Sequence, residues 1–192
     1  TSSQSNKVKA EQSLMNLYYG EENYSSAIAY AQKLIASEPN ENLKQEAQYI
    51  MAKSYLETGD MDNAKATFTL LKDAENGEIA GESYYTLALI EYNNDNYTES
   101  EKLIKAFAEN PTDEYYLAKS FILWADIFVK KDNVFQAKQT LKSIIDNYDN
   151  EEVVKQAQEK YDSFDKKLEQ DKQENTQKEQ SQQNSVDEII IP

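Results

Sequence analysis

A turn followed by a small residue and then by larger apolar residues occurs four times along the chain, and this recurrence restricts the fold more than any other feature. In the second copy, the turn Gly59-Asp60 leads to Ala64, Phe68 and Leu71, which are spaced as on one face of an α-helix. The four copies read ENYSSAIAYAQKL, GDMDNAKATFTLL, DNYTESEKLIKAF and DNVFQAKQTLKSI. Their small residues are Ala27, Ala64, Ser100 and Ala137, separated by 37, 36 and 37 residues. Such a period indicates repeated structural units.

A second small residue precedes three of these copies by twelve positions, and a large residue stands directly before it. Two helices that cross closely need small side chains at the contact and large ones beside it. The spacing therefore predicts pairs of crossing helices. The predicted crossing residues are Ala27, Ala52, Ala64, Ala88, Ser100, Ala125 and Ala137.

The composition favours helix almost throughout. Only four Gly and three Pro interrupt 192 residues that are rich in Ala, Glu, Lys, Gln, Leu and Tyr. The apolar fraction of 39% is sufficient for a core. We therefore expect an all-α fold.

These residues resemble the tetratricopeptide repeat, a helix-turn-helix unit with small residues at two crossing positions and a period of about 34 residues. The resemblance implies a right-handed α-solenoid of about four repeats, at residues 8–41, 43–78, 80–114 and 117–150. The third copy departs from the family pattern because Glu91 stands where an aromatic residue is usual, and the first because Met15 replaces a small residue. The slightly long period is similar to that of bacterial envelope proteins of this family, which favours a periplasmic or envelope location, with the cytoplasm as the alternative.

The residues after the fourth copy predict a terminal helix and a polar tail. Val153, Ala157, Tyr161, Phe164 and Leu168 form one apolar face within residues 151–170. The last repeat of an array needs a cover for its apolar side, so we predict a capping helix, with a docking helix for a partner as the alternative. Residues 171–192 are polar up to the final VDEIIIP, an apolar run that favours pairing or docking.

Charge and residue content exclude several function classes. The formal net charge of −15 repels phosphate, so nucleic acid is not an expected partner. No apolar run reaches the length of about 18 residues that a membrane span requires, so no membrane insertion is predicted. Cys and His are absent, which removes thiolate and imidazole ligands and every catalytic mechanism based on them. We therefore expect no enzymatic activity, no cofactor and no metal.

In a repeat solenoid, the first helix of each pair lines the concave surface. Two rows of equivalent residues lie off the packing face of these first helices. One row is Tyr49, Tyr85 and Ile122, and the other is Tyr19, Leu56, Tyr92 and Val129. Tyrosine offers a large rigid face with one polar tip, which suits protein recognition. The alternative is that these residues only pack neighbouring first helices together.

The sequence thus predicts a non-catalytic scaffold that binds a protein or peptide segment of a partner in its concave groove. Tyr49, Tyr85 and Tyr92 are the predicted anchors. The alternative is a structural cap or self-association module of a longer repeat protein, in which VDEIIIP docks on another copy.

Overall fold

The computed structural model describes residues 2–164, and these are helical apart from short connections. The helices are α1 (Ser2–Gly20), α2 (Tyr24–Ala36), α3 (Glu41–Glu57), α4 (Met61–Leu71), α5 (Gly77–Asn93), α6 (Tyr97–Glu109), α7 (Glu114–Lys130) and α8 (Val134–Asn147). Residues 151–164 are also helical and are called the terminal helix below. Within residues 2–164 there is no strand. The expected all-α helical repeat fold is confirmed.

The chain divides into two compact units after Leu123, inside α7. In the first unit, each helix from α1 to α5 packs against the next, and α1 also contacts α3. In the second unit, Ala125, Ala137, Leu141 and Val153 are fully buried. We call α1, α3, α5 and α7 the first helices, because each is followed by a short turn and a second helix.

The turns inside the helix pairs share one backbone conformation. A residue with positive φ occurs in each, at Glu22, Gly59, Asp95 and Asp132, and these positions are 37, 36 and 37 residues apart. Only one of the four is Gly, although positive φ disfavours a side chain. The next residue is Asn or Asp in every case, and in three of the four turns its side chain accepts a hydrogen bond from the backbone of the second helix. The sequence repeat therefore has the same period as the turn geometry.

Met15 fills the centre of a core cluster in the first unit. It is fully buried together with Ala31, Leu34 and Ala47. A second cluster consists of Ala52, Phe68, Leu71 and Leu87. The first helix pair thus accepts a large residue at its unusual position because neighbouring residues of α2 and α3 enclose it.

Glu91 occupies a buried position with a charge partner, which accounts for its departure from the family pattern. Its side chain is 3% exposed and forms an ion pair with Lys65 of α4. The amide of Asn96 donates a further hydrogen bond to it at 3.0 Å. Asn96 therefore does not cap α6 with its side chain, unlike its counterparts in the other turns.

Two glycines let the start of α7 approach α5 closely. A Cβ atom added at Gly77 would lie 2.5 Å from the backbone oxygen of Thr112. One added at Gly81 would lie 2.9 Å from the Cβ of Asp113 and 3.3 Å from the Cβ of Tyr116. These glycines set the position of Tyr116 relative to α5.

The terminal helix buries Val153 and Ala157 completely, while Tyr161 and Phe164 are half-buried. Lys160 donates a hydrogen bond to Asp126 Oδ1 of α7 at 2.6 Å. Leu168, the remainder of the predicted capping helix and the tail at 171–192 lie outside the described residues. None of the helices in the described range is both long and apolar enough to cross a membrane.

Candidate functional site

The predicted crossing residues all lie in the interior. Ser100 donates a hydrogen bond from its hydroxyl to the carbonyl oxygen of Ala88 at 2.7 Å, and this bond joins α6 to α5. The residues with 0% exposure are Ala27, Ala52, Ala64, Ala88, Ser100, Ala125 and Ala137. Their burial supports the proposed crossing role, because any larger side chain at these positions would have to displace a neighbour.

The carboxylate of Glu82 joins three first helices through one polar network. It accepts hydrogen bonds from the hydroxyl of Tyr49 on α3 and from the hydroxyl of Tyr116 on α7, the second at 2.8 Å. Nζ of Lys53 lies 3.3 Å from Glu82 Oε1 and donates to the Tyr49 hydroxyl at 3.2 Å. The side chains of α3, α5 and α7 are thereby fixed relative to one another.

The two tyrosine hydroxyls in this network are held in their protonated form. Burial raises the pKa of Tyr49 and of Tyr116, and the hydrogen bonds that both donate to Glu82 raise it further. A phenolate at either position would be desolvated and would face a carboxylate. Both hydroxyls are therefore donors at neutral pH.

Lys119 lies among three tyrosine rings. Its Nζ is 4.7 Å from the ring centroid of Tyr85, 5.3 Å from that of Tyr115 and 5.7 Å from that of Tyr116. An ammonium group at such distances is attracted by the electron-rich ring faces. We call the seven residues Tyr49, Lys53, Glu82, Tyr85, Tyr115, Tyr116 and Lys119 the tyrosine cluster.

The first predicted row is only partly present in this cluster. Tyr49 and Tyr85 both belong to it, and the ring centroid of Tyr85 lies 6.1 Å from that of Tyr116. Ile122 is 8% exposed and therefore offers little surface to a partner. On α7, Tyr116 and Lys119 contact Tyr85, and Tyr116 shares the Glu82 carboxylate with Tyr49.

The two tyrosines of the second predicted row pack against the beginning of the second helix in their own pairs. The ring centroid of Tyr19 lies 5.9 Å from that of Tyr24, and the centroid of Tyr92 lies 5.5 Å from that of Tyr97. Leu56 is half-buried at the end of α3, and Val129, also half-buried, belongs to the second compact unit. Part of the surface of Tyr19 and Tyr92 is thus used within their own helix pairs.

Sequence reasoning did not identify Tyr115, Tyr116 and Lys119. The repeat pattern relates residues that are 36 or 37 positions apart. The hydrogen-bonded residues on neighbouring first helices are separated by slightly fewer positions. Tyr49 and Glu82 are 33 residues apart, and Glu82 and Tyr116 are 34 residues apart. A search for hydrogen-bonding pairs at those shorter separations would have found the network.

A polar groove of about 660 Å³ lies one helical turn before the cluster on α3 and α5. Its lining includes Gln12 of α1, Glu46 of α3 and Ile79 of α5, and Gln12 donates a hydrogen bond to Glu46 at 3.2 Å. Glu46 precedes Tyr49 by three residues and Ile79 precedes Glu82 by three, so the groove and the cluster share a helix face. Amide and carboxylate groups that can bond to peptide backbone thus lie beside the aromatic rings.

No arrangement of three or more Asp or Glu side chains suited to holding a metal ion occurs among residues 2–164. The shifted pKa values of Tyr49 and Tyr116 move away from neutrality, which disfavours proton transfer by these groups near pH 7.

Two segments of the chain are similar to a known protein family. A model described as Tetratricopeptide repeat matches residues 46–74 and 115–150. The first segment contains Ala52 and Ala64, and the second contains Ala125 and Ala137. Each matched segment therefore includes a pair of the predicted crossing residues. No curated protein matches the chain.

Proposed function

Because the chain is a tetratricopeptide repeat protein, we propose that it is a non-catalytic scaffold that binds a segment of a partner protein on the tyrosine cluster. Tetratricopeptide repeats commonly serve as protein-interaction scaffolds. The proposed surface consists of side chains from α3, α5 and the beginning of α7. The polar groove beside it extends the surface along α3 and α5.

One observation carries this proposal: the rings of the cluster are held in place before any partner binds. Tyr49 and Tyr116 are both tied to Glu82, and Lys119 restricts the ring of Tyr85. Ordering a side chain during association costs about 0.5–1.5 kcal/mol, and a fixed ring avoids most of that cost. All three tyrosines are half-buried, so part of each ring is left for contact.

We assign the individual residues the following roles. Tyr85 and Tyr116 are the principal anchors, and Tyr49 supports them through Glu82. Tyr92 and Leu56 extend the surface towards the turns. Ile122 contributes mainly to packing because it is 8% exposed.

The experiment compares two neighbouring tyrosines on α5. Tyr85 lies in the cluster, whereas the ring of Tyr84 stacks on Phe107 of α6 at a centroid distance of 5.3 Å. The intact chain is panned against a random peptide library, and the selected peptides are then measured by fluorescence anisotropy against Tyr85→Ser and Tyr84→Ser. We expect Tyr85→Ser to weaken binding at least about tenfold, which corresponds to about 1.4 kcal/mol.

Tyr84→Ser is the matched control, because it makes the same chemical change on the same helix but outside the cluster. Circular dichroism of both variants verifies that their helices are retained. Equal binding by the two variants, or the absence of any peptide whose binding depends on Tyr85, would refute the proposed surface.

A further inference from the structure

Lys119 differs from the lysines of α3 in having no counter-ion. Lys44 pairs with Glu41 and Lys53 pairs with Glu82, in both cases at 3.3 Å. Within residues 2–164, Lys119 forms no ion pair, and its contacts are with tyrosine rings. The charge on Lys119 is thus balanced only by ring faces and by water.

The nearby carboxylate is already occupied. Glu82 accepts the hydroxyls of Tyr49 and Tyr116 and pairs with Lys53, so its negative charge is shared among three donors. An ammonium group has three N–H donors, and aromatic rings supply no lone pair for a full hydrogen bond. Because Lys119 is half-buried, solvent water can complete its hydrogen bonding in the free protein.

A partner that covers the tyrosine cluster removes that water. Burying an ammonium group without an acceptor is strongly unfavourable, and a carboxylate restores both the charge balance and the hydrogen bonds. The half-buried rings of Tyr85, Tyr115 and Tyr116 around Lys119 meanwhile favour apolar side chains in whatever covers them. The occupant must therefore present a negative group beside apolar side chains.

We infer that the partner segment bound at the tyrosine cluster carries an Asp or Glu next to apolar residues, and that its carboxylate binds Lys119. This inference rests on the proposed function. The attraction between Lys119 and a carboxylate acts only at short range, because charges in solvent are screened over about 8 Å at physiological ionic strength. The net charge of −15 therefore slows the approach of an acidic segment but does not determine which side chain Lys119 contacts.

Peptide selection with charge-reversed variants tests the inference. The random library is panned against the intact chain, Lys119→Glu and Lys72→Glu. Lys72 is the matched control, because it also lies over a tyrosine ring, that of Tyr84 at 5.6 Å, but outside the cluster. Both variants change the net charge equally.

We expect the intact chain and Lys72→Glu to select peptides with an acidic residue at a fixed position beside apolar residues. Lys119→Glu should bind those peptides at least about tenfold more weakly and should select Lys or Arg at the same position. Lys119→Met keeps the apolar stem over the rings and removes the charge, so it should lose affinity and also lose the salt dependence of binding.

Two results would overturn the inference. One is a set of Tyr85-dependent peptides without an acidic position, which would leave the proposed surface intact but assign Lys119 a packing role. The other is equal binding of acidic peptides by Lys119→Glu and Lys72→Glu. If instead no selected peptide depended on Tyr85, the proposed function itself would fail, so the two failures are distinguishable.

Discussion

Replacing Gly81 with Ala tests the close approach of α7 to α5, because two opposing effects decide the sign of the result. In a helix interior, Ala is more favourable than Gly by about 0.8–1.0 kcal/mol. The new Cβ, however, would lie 2.9 Å from the Cβ of Asp113, 3.2 Å from the Cζ of Phe107 and 3.3 Å from the Cβ of Tyr116. Overpacking of this kind costs about 1–3 kcal/mol. Two of the three atoms are attached directly to the backbone of the 113–116 segment and cannot turn away, so we expect the upper part of that range and a net loss of about 1–2 kcal/mol.

The assay is urea unfolding followed by far-UV circular dichroism, with Gly20→Ala as the control. A Cβ at Gly20, the last residue of α1, would meet no atom within 4 Å. Gly20→Ala should therefore leave the free energy of unfolding unchanged or raise it by at most about 1 kcal/mol. If Gly81→Ala stabilised the protein as much as Gly20→Ala does, or more, the close contact between α5 and the start of α7 would be wrong.

Substitutions at three further positions probe the polar network, the buried ion pair and a helix crossing. Tyr49 and Tyr116 have raised pKa values, so their contribution to stability is complete below the ordinary tyrosine pKa of 10.0 and is lost as pH rises above it. Glu82→Gln should lower both pKa values, and ultraviolet titration of the phenols measures them. Unchanged pKa values would contradict the network. The ion pair with Lys65 lowers the pKa of Glu91 below 4.5, so its contribution is present above that pH and is lost as pH falls through the lowered value. Glu91→Gln should accordingly destabilise the protein at neutral pH by about 1–3 kcal/mol. It should also make the free energy of unfolding depend less on pH in the acid range. An unchanged pH dependence there would show that Glu91 is not paired. Ser100→Ala should lower the free energy of unfolding by about 1 kcal/mol or less, because it removes one hydrogen bond. Ser100→Leu should lower it by about 1–3 kcal/mol, because it overpacks the crossing. Urea unfolding measures both values, and equal stability of the two variants would contradict a tight crossing.

The helical repeat fold was predictable from the sequence because it depends on residues that recur. Ala64 and its equivalents mark where helices meet, and the spacing of the small residues matches the spacing of the positive-φ residues in the turns. Periodic burial is a property of the chain pattern itself, so no atomic detail is needed to recognise it.

The tyrosine cluster was only partly predictable, because it depends on contacts between unlike residues. Tyr49 and Tyr85 were predicted from their places in the repeat, but the partner that fixes Tyr49 is Glu82, which occupies a different repeat position on the next first helix. The position of Tyr116 depends on the absence of a side chain at Gly81, and the sequence pattern alone does not reveal that gap. Glu91 likewise stands out in the sequence only because it departs from the family pattern, and its pairing with Lys65 is visible only in the structure.

The short span of the hydrogen bonds between first helices has a consequence for folding during synthesis. Gln12 and Glu46 are 34 residues apart, as are Glu82 and Tyr116. The bond from Lys160 of the terminal helix to Asp126 of α7 has the same span. Contacts so close in sequence favour rapid folding, because little chain entropy is lost when they form. At a translation rate of about 5–20 residues per second, the interval between the synthesis of one first helix and the synthesis of the next is roughly 2–7 seconds. Each helix pair therefore has its apolar side uncovered only briefly while the chain is being made.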